Sequence, residues 1–531
     1  MSTSPNQRVL IDNLRKLLES AVGGRSVCLL ETHISYVLLA GEHAFKIKKA
    51  VDLGFLNFQS LTQRHFFCDR ELKLNRRFSP QIYEDVLPIT GSPEFPVLGG
   101  PGEPIEFAVK MRQFPQTCRV DMMLHNGEFK TGHVDALAVK MAAYHQYADR
   151  KLVEAKHGGR KVVAAQLSDA ASNLLRLSEK SMEYKEAEWL SGWCANEIHR
   201  LAGALEQRLK DGQVRDCHGD LHLANIVTLD GEVSFFDCIE FDDALRYIDV
   251  MNDLAFPVMD LQAHGRADLA QRLLNAYLEL TGDYAGLEVL RLYVVYRALI
   301  RAQVALLQQG SAQSAIAYEN GPGQRAYLDV AMSWAQPQKP FLMLMHGYSG
   351  SGKTAVSQEI LQVCGAVRLR SDVERKRLLQ RGVHIEVGSK LAEKAYSREF
   401  TLMTYLYLLH LAQALLDGGY SVIVDACFLR LDQRQLFHQL AAQRQIPFEI
   451  VDVHADENIM RGRIRKRMSE GKDASDADLS VLDGQLKAHE PFTVEELSTV
   501  VSYESSVCPV NANRPKAVRA LLQSALDRMT N

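Results

Sequence analysis

The chain has 531 residues, with Lys+Arg 61 against Asp+Glu 65, a net charge of −4, and 47% hydrophobic and 24% charged side chains. At roughly 150 residues per domain this allows three to four structural bodies, and the composition excludes disordered, collagenous and membrane-embedded classes. A pI near 6.5 supplies no whole-surface field for a phosphate polymer, so nucleic acid is compatible with a local basic groove but is not the favoured partner.

The nine cysteines are scattered, odd in number and never paired as C-x-x-C, which argues against a disulfide framework or a zinc ribbon and fits a reducing cytoplasm. Residues 1–18 carry charge through their apolar positions and lack the core of a signal peptide. The longest apolar run, 405–416, contains His410 and Gln413 and reads as a buried helix. The expected location is the cytoplasm, with no membrane partner and an oligomeric state the sequence leaves open.

In chain order, short β-rich runs at 27–30, 36–39 and 44–48 are separated by turns, and 106–111 is a further strand candidate. Residues 44–48, Ala-Phe-Lys-Ile-Lys, alternate, so Lys46 and Lys48 share one strand face. Glu71 follows in a helix-like run, 70–75. From 133 to 204 and from 261 to 307 apolar residues recur at helical spacing, as in Leu269, Leu273, Tyr277 and Leu280. A β-rich front lobe followed by a helical back lobe is the expectation.

Within the back lobe, His218-Gly219-Asp220-Leu221-His222-Leu223-Ala224-Asn225 places an Asp five residues before an Asn. A turn at Asp230-Gly231 and a strand at 233–236 then lead to Asp237. One carboxylate to orient a hydroxyl, with an amide and a second carboxylate for Mg²⁺, is what phosphoryl transfer needs, because its catalysis is mostly positioning and charge neutralisation. The spacing of Asp220 and Asn225 equals that of the protein-kinase catalytic loop. His222 and the acidic run Glu240, Asp242, Asp243 lack metal-ligand spacing and read as structural and turn residues.

This stretch resembles the aminoglycoside phosphotransferase family over roughly residues 25–310. The resemblance implies an α+β, protein-kinase-like two-lobed domain. Asp220 would be catalytic, Asn225 and Asp237 would hold Mg²⁺, and either Lys46 or Lys48 would contact the phosphates, with Lys46 preferred. It also implies that Glu71 braces that lysine, that 109–115 is the adenine-gripping hinge and that Asp253 braces the back lobe. A front-lobe G-x-G-x-x-G is missing, and Thr32-His33-Ile34-Ser35 occupies that turn.

Turn formers are dense between 308 and 340, marking a linker with a short helix at 326–334 inside it. Beyond it the order alternates: strand 341–345, helix 354–364, helix 391–416, strand 421–425, helix 431–443, strand 448–453. That order argues for a mainly parallel sheet covered by helices. Gly347-Tyr348-Ser349-Gly350-Ser351-Gly352-Lys353-Thr354 matches G-x-x-x-x-G-K-[ST] between a strand and a helix. Its glycines let backbone N–H groups surround phosphates, Lys353 reaches the β/γ-phosphates, and Thr354 suits Mg²⁺. Asp425 ends an apolar strand beside this cradle and is the candidate metal support. Asp372 opens a basic helix as a candidate base, with Arg375 suited to an anionic substrate group. Arg461, Arg463 and Arg467 precede a polar stretch, 469–478, and fit a lid over ATP.

This half resembles the small-molecule and zeta-toxin-like P-loop kinases, among them gluconate and chloramphenicol kinases, over roughly 341–522. The whole arrangement resembles bacterial proteins described as bifunctional aminoglycoside phosphotransferase/ATP-binding proteins. The resemblance implies a kinase-like domain at 1–325 (lobes about 25–115 and 116–310), a linker at 326–340 and an α/β P-loop NTPase domain at 341–531. It further implies ATP and Mg²⁺ at two sites and transfer of the γ-phosphoryl group to a hydroxyl, most simply of a small molecule. The alternatives are a nucleotide-sensing regulator that binds without transfer and a toxin-like or polynucleotide-end kinase in the second half.

Overall fold

The computed structural model describes residues 5–54, 56–150, 157–179, 181–309, 321–380, 398–470 and 477–506. The chain forms two compact units: Met1–Arg266 with Glu288–Ala335, and Ala267–Leu287 with Gln336–Asn531. Among the described residues no helix is long and apolar enough to cross a membrane.

In the first unit, β1 (Cys28–Glu31), β2 (Ser35–Ala40), β3 (His43–Lys48), β4 (Tyr83–Gly91), β5 (Pro96–Leu98) and β6 (Glu106–Arg112) make a six-stranded antiparallel sheet ordered β1-β2-β3-β6-β4-β5. The two-residue period of β3 divides its side chains between two cores. Phe45 and Ile47 join Leu10, Ile11, Leu14 and Leu18 of helix α1 (Pro5–Ala21), and Ala44 joins Cys68 of helix α2 (Leu61–Asn75). Lys46 and Lys48 therefore face α2. That helix starts at a capping box, with Ser60 Oγ accepting from Gln63 N. The charged positions of residues 1–18 are the outer face of α1, an amphipathic helix that seals one side of the sheet.

The rest of this unit is helical, as its periodicity implies, and two short hairpin-like pairs carry the polar motif. Ile226–Leu229 pairs with Glu232–Phe235 across Asp230-Gly231, whose φ values of 52° and 83° are those of a tight two-residue turn. Val214–Asp216 pairs with Tyr247–Asp249. The stretch read as a linker begins as helix Gln324–Ala335, where Tyr327 OH donates to Asp260 and Trp334 Nε1 to Gln262. Residues 310–320 lie outside the described residues.

In the second unit, Leu342–His346, Val367–Arg370, Val422–Asp425, Phe448–His454 and Val500–Glu504 form a five-stranded, all-parallel sheet. Every residue of Leu342–His346 and Val422–Asp425 is buried, which is why both read as continuous apolar runs. Helix Lys353–Cys364 packs Val356, Ile360 and Leu361 onto Met343, Ile423 and Val451. Two of the five strands were not expected. Val367-Arg-Leu-Arg370 is an edge strand whose two arginines break its apolar run, yet Arg368 is buried against a carboxylate from a distant part of the chain. The helix expected at 391–416 is described from Arg398 to Asp417, and the polar stretch 469–478 is described only in part.

Arg434, on helix Leu431–Arg444, is buried and pins the segment after helix Leu479–Ala488: it donates to both Glu496 oxygens and to the carbonyls of Phe428, Glu490 and Pro491. Arg434→Ala removes one partner of a buried pair and should cost about 3–5 kcal/mol, read as a lowered denaturation midpoint.

Candidate active sites

In the first unit the charged groups meet around α2. Lys46 Nζ donates to Glu71 Oε1 at 2.8 Å and to Asp237, while Lys48 Nζ donates to Glu71 Oε2 at 2.7 Å and to Glu240. Both lysines and Glu71 are buried. Burial pushes the Glu71 carboxyl up, but the two ammonium groups win and hold it at about 2. Lys46 is raised well above its ordinary value for the reciprocal reason, with Asp237 and Glu71 overcoming desolvation. The preferred Lys46 is the lysine that reaches Asp237, and Lys48 instead ties Glu71 to Glu240.

The polar loop is suspended from buried carboxylates. Asp253 accepts from His218 N at 3.2 Å and Gly219 N at 2.9 Å, and His145 Nε2 lies 3.1 Å from it. Burial opposes the Asp253 charge, but these hydrogen bonds hold the carboxyl below its usual range. Gly219 has φ 84°, and a Cβ there would lie 2.6 Å from Leu245 O. Asp260 likewise accepts from Leu223 N at 2.9 Å. Asp220 N donates to His218 Nδ1 at 3.3 Å while His218 Nε2 sits 3.0 Å from Phe236 O, an arrangement satisfied by the neutral ring that burial favours.

Asn225 Nδ2 donates to Asp220 O at 2.9 Å and Asp220 Oδ2 at 3.3 Å, which turns the amide so that its Oδ1 remains for a cation. Desolvation raises the Asp220 carboxyl. Asp237 sits at φ 62°, a strained conformation for a non-glycine residue, held by Asp237 N donating to Tyr83 OH and Cys238 N donating to Asn75 Oδ1. Lys46, Glu71 and Asp237 thus form one ion-paired group and Asp220 with Asn225 a second, tied together through the backbone by Phe236 N donating to Asn225 O at 3.1 Å. Oxygen donors from Asn225 and Asp237 suit a hard cation such as Mg²⁺.

The turn lacking glycines is built by Thr32, whose Oγ1 accepts from Ile34 N and Ser35 N. In the expected hinge, Arg112 N and Gln113 N already donate to Ile82 O and Glu42 O. Of the acidic run, Glu240 is a buried lysine partner, Asp242 caps Asp243–Arg246, and Asp243 pairs with Arg70 and Arg246. His222 is buried, with Nε2 3.6 Å from Asp220.

In the second unit a cavity of about 980 Å³ is lined by the cradle residues Ser349, Gly350, Gly352, Lys353 and Thr354, together with Asp372, Asp425, Arg463 and Arg467. Gly347 has φ 132°, and a Cβ would meet Val453 O at 2.2 Å; at Gly350 it would meet Met460 O at 2.7 Å. Lys353 Nζ rests on Gly347 O and Tyr348 O at 2.8 and 2.7 Å. Ser351 is buried, and its carbonyl accepts from Arg463 Nη1, which also bonds Gly350 O. Asp425, buried at its strand end, accepts from Ser357 Oγ at 3.2 Å. The Thr354 hydroxyl and Asp425 carboxylate are again oxygen donors suited to Mg²⁺. Arg467 lines the cavity while donating to Ala477 O. Arg461 does not line it, being held outward by Glu457 and Asp483.

Gln485, Arg398 and Arg430 gave no signal of their own in the sequence. Gln485 Oε1 accepts from Ser349 N at 2.8 Å, and Arg370, Arg398 and Arg430 join Arg375 in the lining of the cavity. With Lys353, Arg463 and Arg467 they make seven cationic side chains against the carboxylates of Asp372, Asp425 and Asp432.

The "Phosphotransferase enzyme family" profile matches residues 131–293, and the "AAA domain" profile matches 342–492. Uncharacterized proteins of Mycobacterium tuberculosis and Mycobacterium bovis are 31% identical over 455 residues, 84% of this chain and 87% of theirs. The chain belongs to their family. It joins an aminoglycoside-phosphotransferase-like, kinase-type domain to a P-loop kinase domain, and it is a phosphotransferase enzyme. Among solved structures, the gluconokinase of Sinorhizobium meliloti is 19% identical, covering 36% of this chain and 96% of its own, with TM-score 0.26. The APS kinase of Mycobacterium tuberculosis is 20% identical, covering 35% and 99%, with TM-score 0.26.

The Glu71 network gives the first unit of this protein a pH signature. A carboxyl at about 2 in the fold and near 4.5 when unfolded contributes stability that is complete above pH 4.5 and fades as pH falls towards 2. The stability difference between the wild type and Glu71→Gln should therefore shrink across that window in acid titrations followed by circular dichroism.

Proposed function

We propose that the protein carries two ATP sites, each transferring the γ-phosphoryl group to an acceptor hydroxyl. The reading is carried by the completeness of the two constellations: the Lys46–Glu71–Asp237 ion pairs with the Asp220–Asn225 loop in one unit, and the cradle, Asp372 and Asp425 around one cavity in the other.

In the first site Lys46, oriented by Glu71, contacts the phosphates, and Asp220 aligns the acceptor hydroxyl and takes its proton. In the second, backbone N–H groups from Gly347 to Thr354 and the Lys353 ammonium hold the β- and γ-phosphates, and Asp372 receives the hydroxyl proton. The acceptor oxygen forms the new bond to the γ-phosphorus as the bond to the β,γ-bridging oxygen breaks, and ADP leaves. Arg463 and Arg467 face the charge that develops on the transferring group. Mg²⁺, when held by Asn225 and Asp237 or by Thr354 and Asp425, neutralises phosphate charge.

The excess of cations lining this cavity supports a small acceptor that carries its own anionic group, with Arg375, 3.5 Å from Asp372, as its anchor. A hydroxyl compound bearing carboxylate, sulfate or phosphate satisfies both requirements. A uniformly charged polymer is not required by this cavity, and the location consistent with such a metabolite kinase is the cytoplasm.

Asp220→Asn and Lys353→Ala should each remove a separate share of ATP turnover, by about 10²-fold or more for the affected site, measured as ADP release in the full chain. Full turnover in both variants sinks the reading. In a screen of neutral and anionic hydroxyl compounds, the acceptors dependent on Lys353 should be anionic. Arg375→Ala should raise their KM at least tenfold while the KM for ATP holds.

A further inference from the structure

The segment Ala267–Leu287 lies inside the stretch matched by the phosphotransferase profile, yet it is built into the P-loop unit. Its helix, Ala267–Thr281, runs along strand Val367–Arg370 and the helix that follows the cradle. Asn275 Nδ2 donates to Ala366 O at 3.1 Å and its Oδ1 accepts from Arg368 N at 2.7 Å. Tyr284 OH donates to Glu374 at 3.0 Å, and Tyr420 OH to Leu287 O at 2.8 Å. The segment is thus anchored at both ends without its most polar residue, Glu279.

Glu279 Oε1 accepts from Arg368 Nε at 2.9 Å and Nη2 at 2.6 Å, and Oε2 accepts from Arg370 Nη1 at 3.3 Å. Arg368 is buried and spends its remaining donors on the first turns of the cradle helix: Nη1 to Thr354 O at 3.2 Å and Ser357 Oγ at 3.1 Å, Nη2 to Gln358 Oε1 at 2.9 Å. Ser357 Oγ in turn lies 3.2 Å from Asp425 Oδ2. An unbroken chain therefore runs from Glu279 through Arg368 to the backbone of Thr354 and, through Ser357, to Asp425. These are the two residues whose oxygens suit Mg²⁺. The other carboxylate oxygen reaches Arg370 on the cavity wall.

We infer that Glu279 is a positioning residue of the P-loop site, supplied from within the phosphotransferase portion of the sequence, and that it sets the relative placement of Thr354 and Asp425. The inference rests on the reading of the P-loop unit as a phosphoryl-transferring site. A carboxylate that orients the groups around a metal typically matters by about 10–100-fold in metal affinity or activity. Without it the Arg368 guanidinium is buried without a counter-charge and must turn away from Thr354 and Ser357.

The test uses the full chain in the Asp220→Asn background, so that ATP turnover reports the P-loop site, with Mg²⁺ titrated at fixed ATP and water as acceptor. Glu279→Gln should raise the Mg²⁺ concentration for half-maximal turnover about tenfold or more, and Glu279→Asp should recover part of the loss. The turnover that remains in the Lys353→Ala background should be untouched by Glu279→Gln. Because the buried charge itself could destabilise the fold, Glu279→Gln/Arg368→Met is measured alongside. Recovery of the melting temperature with the Mg²⁺ requirement still raised supports positioning, whereas recovery of both shows a purely structural role and overturns it. An unchanged Mg²⁺ requirement in Glu279→Gln also overturns it, while Lys353→Ala inactivity leaves the P-loop reading standing. Turnover insensitive to Lys353→Ala removes both.

Discussion

A cation cannot be buried without a counter-charge, and that constraint organises both units. Each solves it with one carboxylate that serves two cations. Glu71 faces Lys46 and Lys48, and Glu279 faces Arg368 and Arg370. Desolvation of such groups costs several kcal/mol per ion unless geometry and hydrogen bonding restore it. The paired carboxylate makes the cations tolerable inside the fold and fixes their direction before any ligand arrives, which is the form of preorganisation phosphoryl transfer uses.

The same logic extends to the loops that carry the chemistry. Asp253, Asp260 and Asn75 spend side-chain acceptors on backbone N–H groups of residues 218, 219, 223 and 238, so a loop without regular secondary structure is held at several points. The cost is visible at Asp237, a non-glycine residue at positive φ. In the P-loop unit the constraint is steric. Gly347 and Gly350 sit where any Cβ would strike a carbonyl oxygen, so the loop can close on a phosphate only with glycine there.

Much of this was legible before the fold was known, because the informative residues are contiguous. The cradle 347–354 and the loop 218–225 each state their geometry within eight residues, and the alternation of 44–48 already put Lys46 and Lys48 on one face. What misled was exposure inferred from local polarity. Arg368 and Arg370 break the apolar run of a buried edge strand, which went unread, the charges of residues 1–18 hid an amphipathic helix, and Arg461 looked equivalent to Arg463 and Arg467 although it turns to Glu457 and Asp483. Stretches around 310–320, 381–397 and 471–476 fall outside the described residues.

The sequence by itself determined the phosphotransferase class and the order of the kinase-like and P-loop portions, since both follow from short-range patterns of glycine, charge and hydrophobic period. Only the tertiary structure decided which charges answer one another. Glu240 meets Lys48 across 192 positions and Glu279 meets Arg368 across 89. Pairings of that range depend on where packed helices and strands bring side chains together in low dielectric, and no local pattern in a single chain encodes that distance.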